Sequence, residues 1–318
     1  MSNSRNDYDP KAYNPEFKLE YLAPKHWGTW LGLLLGMPIA LLPNKVRASI
    51  ARFAASKLAK KQKGPVQKAR INLGLCFPEK TETEREQILE KCLATAGTFL
   101  LGFPAISLRS KKWLERHSKI TGLEHLKTLQ ENGQSAILLV PHSWAIDIPA
   151  ILLASRGLPV SAMANSQKNP LTDWLMHKQR VQYGGRVYDR SGGIKPFIKS
   201  VKDGYLGYYL PDQDHGPEQS VFVDFFATEK ATLPGLGKLA KVSRAKIVPT
   251  FASYNVETGQ YEIEIKPPMA DFTGDEHEDA RAMNIVVEEF VTPKPEQYMW
   301  ILKLLKTRRD GNDPYVGY

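Results

Sequence analysis

The pattern of apolar and polar positions divides the chain near residue 78. Residues 27–43 (WGTWLGLLLGMPIALLP) form a run of 17 without a charge. As a helix this run would rise ~25 Å, slightly short of a ~30 Å hydrocarbon core. Gly28, Gly32, Gly36 and Pro38 would weaken a soluble helix but are tolerated in a membrane, and Trp27 and Trp30 suit its interface. In residues 46–58, Ile50, Phe53, Ala54 and Leu58 then recur with the period of an amphipathic helix.

Beyond residue 78, short apolar runs alternate with helical periods. Thr83 and Glu86 have capping-box spacing and open a helix reaching about Leu101. Helices are expected at 111–117 and 123–132, and the buried run 136–140 (AILLV) as a strand. Next come helix 147–155, strand 160–164, helix 171–183, strand 186–188, helix 194–202 and strand 206–210. The periodicity gives helix 233–243, strands 247–254 and 261–266, and closing helices at 279–291 and 296–306. This alternation predicts an α/β fold: a mixed, mostly parallel sheet flanked by helices, preceded by an N-terminal membrane-anchoring helix. The expected divisions are a tail at 1–26, a membrane helix at 27–43, a basic interfacial segment at 44–78 and a catalytic body at 79–318.

Charge reinforces the division. The net +9 reflects 43 Lys+Arg against 34 Asp+Glu, and no acidic residue lies between Glu20 and Glu79. Ten basic residues fall in that stretch, so the rest of the chain is near neutral. Nine of them follow the apolar run, which by the positive-inside rule places the body on the cytoplasmic side. Lysines directly after the amphipathic segment match an anionic membrane lipid surface. A nucleic acid would attract the same charge but leaves the apolar run unexplained, so none is expected. A cleaved signal peptide fits less well, because the run starts late, contains Pro38 and lacks an Ala-x-Ala end. With 42% hydrophobic residues the chain is globular, and Cys76 and Cys92 are too few for a disulfide framework or a cysteine metal site. No histidine pair has ligand spacing, so neither metal nor cofactor is expected.

The candidate chemistry collects where strands end. His142 lies just past the 136–140 strand, where open α/β sheets place their ligands. Asp147, in the first turn of the next helix, is expected to reach back to one ring nitrogen and leave the other as a base. Arg190 follows the next strand and suits a phosphate or another anion. Residues 211–214 (PDQD) place Asp212 and Asp214 in one loop, where their mutual repulsion requires a compensating positive group.

These residues carry a resemblance. The order H-x4-D, a Gly-Gly-Arg block, a strand ending in an acidic block and then Val248-Pro249 resembles the glycerolipid-type acyltransferase superfamily. Within it the chain looks most like the late (secondary) acyltransferases of lipid A biosynthesis, in the branch that adds the last acyl chain to Kdo2-lauroyl-lipid IVA. The carrying segments are 27–32 (WGTWLG), 70–79 (RINLGLCFPE), 142–147 (HSWAID), 169–173 (NPLTD), 209–217 (YLPDQDHGP), 222–226 (FVDFF) and 295–300 (PEQYMW).

The resemblance implies acyl transfer from acyl carrier protein to a hydroxyacyl hydroxyl of a Kdo2-lipid A precursor, at the cytoplasmic face of a bacterial inner membrane. It puts the catalytic dyad on His142 and Asp147, a further essential arginine on Arg180 and the acidic block on Asp212. It assigns substrate binding to Arg190 and Asp214. Arg180 is expected to contact an anionic part of a substrate, or to pair with Asp212 across the cleft. Two other readings stay open: a lysophosphatidate-type acyltransferase, whose acidic block usually reads Pro-Glu-Gly, and a membrane-anchored lipid binder without chemistry.

Overall fold

The computed structural model describes residues 9–317. Four helices come first: α1 (Trp27–Leu41), α2 (Asn44–Leu58), α3 (Gly64–Cys76) and α4 (Glu82–Gly102). Then follow α5 (Lys111–Arg116), β1 (Ser118–Thr121), α6 (Leu123–Glu131), β2 (Ser135–Leu139), α7 (Ile148–Ser155) and β3 (Val160–Ala164). Next are α8 (Pro170–Arg180), β4 (Arg186–Asp189), α9 (Lys195–Lys202) and β5 (Leu206–Tyr209). The chain continues through β6 (Val221–Phe225), β7 (Thr228–Thr232), α10 (Leu236–Ser243), β8 (Ala245–Asn255), β9 (Gln260–Ile265) and α11 (Glu276–Val291).

The predicted α/β class holds. Seven strands form one sheet in the order β1-β9-β8-β2-β5-β3-β4, and every pairing is parallel except β8 with β9. β2 is buried from Ala136 to Leu139, as a strand covered by helices on both faces must be. After β2 the chain moves toward β3, and after β5 it moves to the other side, toward β8. The adjacent pair β2 and β5 is therefore a topological switch point, where α/β sheets open a crevice beyond the carboxyl ends of their strands. Gly185 (φ 116°) lets β4 start against β3, since a Cβ there would stand 2.8 Å from the Val160 carbonyl oxygen.

Several local expectations change. The capping box sits at Thr81 and Glu84, two residues before the expected Thr83 and Glu86: Thr81 is extended, accepts from Glu84 N–H, and its own N–H donates to the Glu84 carboxylate at 2.7 Å. The strand β1, the helix α3 and the separate β6–β7 hairpin were not anticipated. α3 gives Val66, Ala69, Leu73 and Cys76 to the same core as the sheet, so the packed body begins before residue 79. No helix forms over 296–306; a 3₁₀ turn at Pro295–Gln297 leads into turns. The backbone groups that a helix there would pair internally go elsewhere. Asn72 donates to the carbonyls of Trp300 (2.6 Å) and Leu302 (2.8 Å), and Met299 N–H to that of His142 (2.9 Å).

The N-terminal pair has an inverted arrangement. α2 turns back from α1 through 119° and packs on α4 with a face of Arg47, Ala48, Ala51 and Ala55. Small side chains permit the close approach: a Cβ on Gly97 would already touch Ala51 Cβ at 3.0 Å. The large apolar residues point outward instead, with Phe53 70% exposed and Val46, Ile50 and Leu58 also exposed. On α1, Trp27, Leu31, Leu34 and Leu35 are exposed as well, whereas Ala40 is buried. Among the described residues the continuous helical stretch long and apolar enough to cross a membrane is Glu82–Leu108, half of which is buried inside the body.

Candidate active site

The His142 loop leaves β2 and the Asp212 loop leaves β5, and the register between the two strands decides what meets. Leu139 and Tyr209 are ladder partners, and Val140 N–H donates to Tyr209 O at 2.9 Å. Three residues further along each chain stand His142 and Asp212. One Asp212 oxygen accepts the His142 backbone N–H at 2.7 Å, and the other is hydrogen-bonded to the ring Nδ1. Asp212 is 1% exposed. Burial on its own would raise its carboxyl pKa, but the His142 ring and the hydrogen bonds from His142 more than offset this and hold it below the ordinary value. Nδ1 is thereby fixed, and Nε2 is the ring nitrogen without a hydrogen bond among the described residues.

A second contact locks the loop from behind. Ser143 forms an antiparallel bridge with Tyr298, and Trp144 N–H donates to Gln297 O at 3.1 Å. The Gln297 amide in turn mimics a strand on β8, accepting Tyr254 N–H at 2.9 Å and donating to Tyr254 O at 3.1 Å. Asn72 of α3 holds the far end of the same clamp, so the 70–79 and 295–300 segments of the resemblance act as a scaffold for His142.

Asp147 has a different partner. Arg180, at the end of α8, grips it with Nε to Oδ1 at 2.9 Å and Nη2 to Oδ2 at 3.3 Å, a forked geometry. Burial would lower the Arg180 pKa, and the Asp147 charge raises it above its usual value. Tyr208 donates to Ile146 O and supports the loop between His142 and Asp147. Its hydroxyl is raised well above the ordinary range by burial and then by Asp147.

These groups border a cavity of about 330 Å³ beyond the ends of β2, β3, β4 and β5. His142, Asp147, Arg180, Arg186 and Arg190, with Asn165, Gln167 and Gln213, supply its polar wall. Ile146, Ala150, Val160, Ala162, Met163, Val181, Val187 and Leu210 make the rest mostly apolar. Such a lining suits a methylene chain with a charged or polar end.

The structure thus brings His142, Asp147, Arg180 and Arg190 to one crevice, with Asp212 buried behind His142, but corrects their pairing. The carboxylate on the His142 ring is Asp212, supplied by the neighbouring strand, and not Asp147, which Arg180 occupies. Arg180 consequently does not pair with Asp212. Asp214 is not on the cavity: it accepts Thr307 N–H and Oγ–H, each at 2.7 Å, and Gly216 N–H at 3.0 Å. Tyr208, Gln297 and Asn72 were missed as supports; the last two lay unread inside recognised segments. Among the described residues no cluster of three His, Cys, Asp or Glu side chains is placed to hold a metal.

Comparison with known proteins agrees with this geometry. The family model for bacterial lipid A biosynthesis acyltransferases matches residues 14–307. A lipid A biosynthesis myristoyltransferase of Escherichia coli is 48% identical over 309 residues, covering 95% of this chain and 94% of that protein. A lipid A biosynthesis acyltransferase of Haemophilus influenzae is 47% identical over 304 residues, covering 96% and 95%. A lipid A biosynthesis lauroyltransferase of Escherichia coli is 31% identical over 299 residues, covering 93% and 97%.

Proposed function

The chain belongs to the bacterial lipid A biosynthesis acyltransferase family, and from that premise we propose that it moves a fatty acyl group from the thioester of acyl carrier protein to a hydroxyacyl hydroxyl of a Kdo2-lipid A precursor. The observation that carries this reading is a histidine on an apolar cavity whose Nδ1 is taken by a buried aspartate. Nε2 of His142 removes the proton of the acceptor hydroxyl as that oxygen attacks the thioester carbonyl. Asp212 holds the ring tautomer and stabilises the imidazolium. Collapse of the tetrahedral intermediate breaks the carbon–sulfur bond, and the imidazolium returns the proton to the departing thiolate.

The oxyanion of that intermediate needs donors. Of the amides at the start of α7, Ile146 N–H and Ile148 N–H are already used by the carbonyls of Ser143 (3.2 Å) and Ala145 (2.9 Å), and Pro149 has none, so only Asp147 N–H remains as a backbone donor there. Arg180 is better placed. Asp147 fixes its fork on one side, and Nη1 has no partner among the described residues. Arg190, on the cavity wall, takes a phosphate of the acceptor.

Attachment to the inner membrane is part of this reading, and the outward apolar side chains of α1 and α2 support it. At 15 residues α1 rises ~22 Å, too short to cross a ~30 Å core, so α1 and the outward side chains of α2 enter one leaflet while the lysines contact anionic headgroups. In this reading the cavity opens at the cytoplasmic surface, where acyl carrier protein would arrive.

The test supplies purified protein with acyl–carrier-protein thioester and acceptor lipid, following thioester loss and acylated product by mass spectrometry. Product that depends on His142 supports the reading. Thioester loss to free acid without acylated lipid would make it a hydrolase, and binding without turnover would make it a lipid-binding module. Phe53→Glu should weaken sedimentation with anionic vesicles at unchanged thermal stability; unaltered sedimentation refutes the interfacial placement.

A further inference from the structure

The cavity beside His142 runs down one face of the sheet. Ala162 of β3 pairs with Tyr208 of β5 and Val187 of β4; ladder partners point the same way, so all three side chains stand on the cavity face. Val160 and Ala164, two residues to either side, share that face and also border the cavity. From Ala164, at the His142 end of the sheet, down to Val160 the strand runs ~13 Å, at ~3.3 Å per residue. The far end is closed. Val181 O accepts Gly184 N–H at 2.9 Å, and this turn brings Gly185 so near β3 that a Cβ there would stand 2.8 Å from Val160 O. Arg186 borders the cavity through β4, but it alternates with Val187: its guanidinium passes to the other face, 3.5 Å from Ser200 of α9 and 4.2 Å over the Tyr205 ring. Midway along this floor Ala162 stays partly exposed, although β3 lies between β5 and β4, because its methyl faces the open space.

We propose that Ala162 sets how long an acyl chain the site takes: the tail of the transferred group lies along β3, and the small Ala162 methyl lets it reach the closed end at Val160 and Gly185. The proposal rests on the reading of the site as an acyltransferase. The transferred group reacts at its terminal carbonyl carbon, so its whole tail leaves His142 in one direction and fits a dead end. The acceptor reacts at a hydroxyl partway along a chain, with carbon on both sides, and a dead end does not take it. An extended chain with bonds of ~1.5 Å advances ~1.3 Å per methylene, so ~13 Å of floor holds about ten. A branched side chain at position 162 would stop the tail about halfway.

Ala162→Leu should lower kcat/KM for a dodecanoyl thioester by about tenfold or more and leave a hexanoyl thioester within about threefold of wild type. Equal losses on the two overturn the proposal, since a merely structural defect does not depend on chain length. Val181→Ala enlarges the closed end and should raise the ratio of hexadecanoyl to dodecanoyl transfer by about threefold. If Ala162→Leu does not fold, Val181→Ala decides, and an unchanged ratio sinks the proposal. Failure of the acyltransferase reading shows separately, as wild-type protein that transfers no acyl group of any length. Binding of free hexanoate, dodecanoate and hexadecanoate to the same proteins then judges the cavity without turnover. A chain-length shift in either variant supports the role of Ala162, and affinities that change equally for all three acids refute it.

Discussion

Asp147 and Asp212 are aspartates in loops that leave adjacent strands of one sheet, and their surroundings suit them to different roles in the proposed reaction. Asp212 is buried, takes two hydrogen bonds from His142 and has no arginine. Asp147 is partly exposed and sits in the fork of Arg180. A carboxylate that must orient a base benefits from a dry site, where a single imidazole is its strongest partner. One that must aim a guanidinium at a substrate needs to stay at the cavity wall.

The largest effects should follow this division. His142→Ala should abolish acyl transfer, and Asp212→Asn should lower kcat/KM by roughly 10²–10⁴, because an amide in that place favours the wrong tautomer. Asp147→Asn should cost less than Asp212→Asn. Acyl-transfer rates on proteins with matched circular dichroism check the ranking, and the reverse order would restore Asp147 as the orienting carboxylate.

Where the two aspartates stand in sequence explains why one was misread. Most helices and strands of the body were legible because periodicity is a local signal, although β1, α3 and the β6–β7 hairpin were not and the capping box lay two residues earlier than expected. The apolar run at 27–43 and the basic stretch behind it were equally plain. The partner of His142 was not, since H-x4-D lies within one short segment while Asp212 is 70 residues away. Only the ladder Leu139–Tyr209 makes it a neighbour, and strand order is not written in any single strand. The 296–306 segment failed for a related reason: its backbone is committed to distant partners, His142 and Asn72, that override its helical pattern.

Acid unfolding sharpens the contrast next. Because Asp212 is depressed in the folded protein, the stability it contributes is complete above its unfolded value of about 3.9 and is lost as pH falls through the folded value. Stability of the wild type should therefore drop below about pH 4. The drop should be shallower in Asp212→Asn, by up to ~1.4 kcal/mol per pH unit, one proton's worth. Urea midpoints measured from pH 5 down to pH 2.5 give the slopes, and identical slopes would deny Asp212 its place in the buried pair.

A smaller effect separates the two pairings directly. A thermodynamic cycle on unfolding with Arg180→Ala and Asp147→Ala should show a coupling of about 1 kcal/mol, modest because the pair is partly exposed. The corresponding cycle of Arg180→Ala with Asp212→Ala should be additive within about 0.5 kcal/mol. Coupling in the second cycle and none in the first would mean that Arg180 pairs across the crevice with Asp212.

The finest distinction is one methylene. Asp147→Glu keeps the carboxylate at a site open to the cavity, and the Arg180 side chain can shift to follow it. Stability should change by no more than about 0.5 kcal/mol, and transfer should stay within a few-fold of wild type. Asp212→Glu makes the same chemical change in a buried position, where an added methylene typically costs about 1–3 kcal/mol and would push the second oxygen away from the His142 N–H. Parallel melts and transfer rates of the two variants test whether the site tells its carboxylates apart by packing. Equal tolerance at both positions would mean that the buried geometry of Asp212 is not what His142 requires.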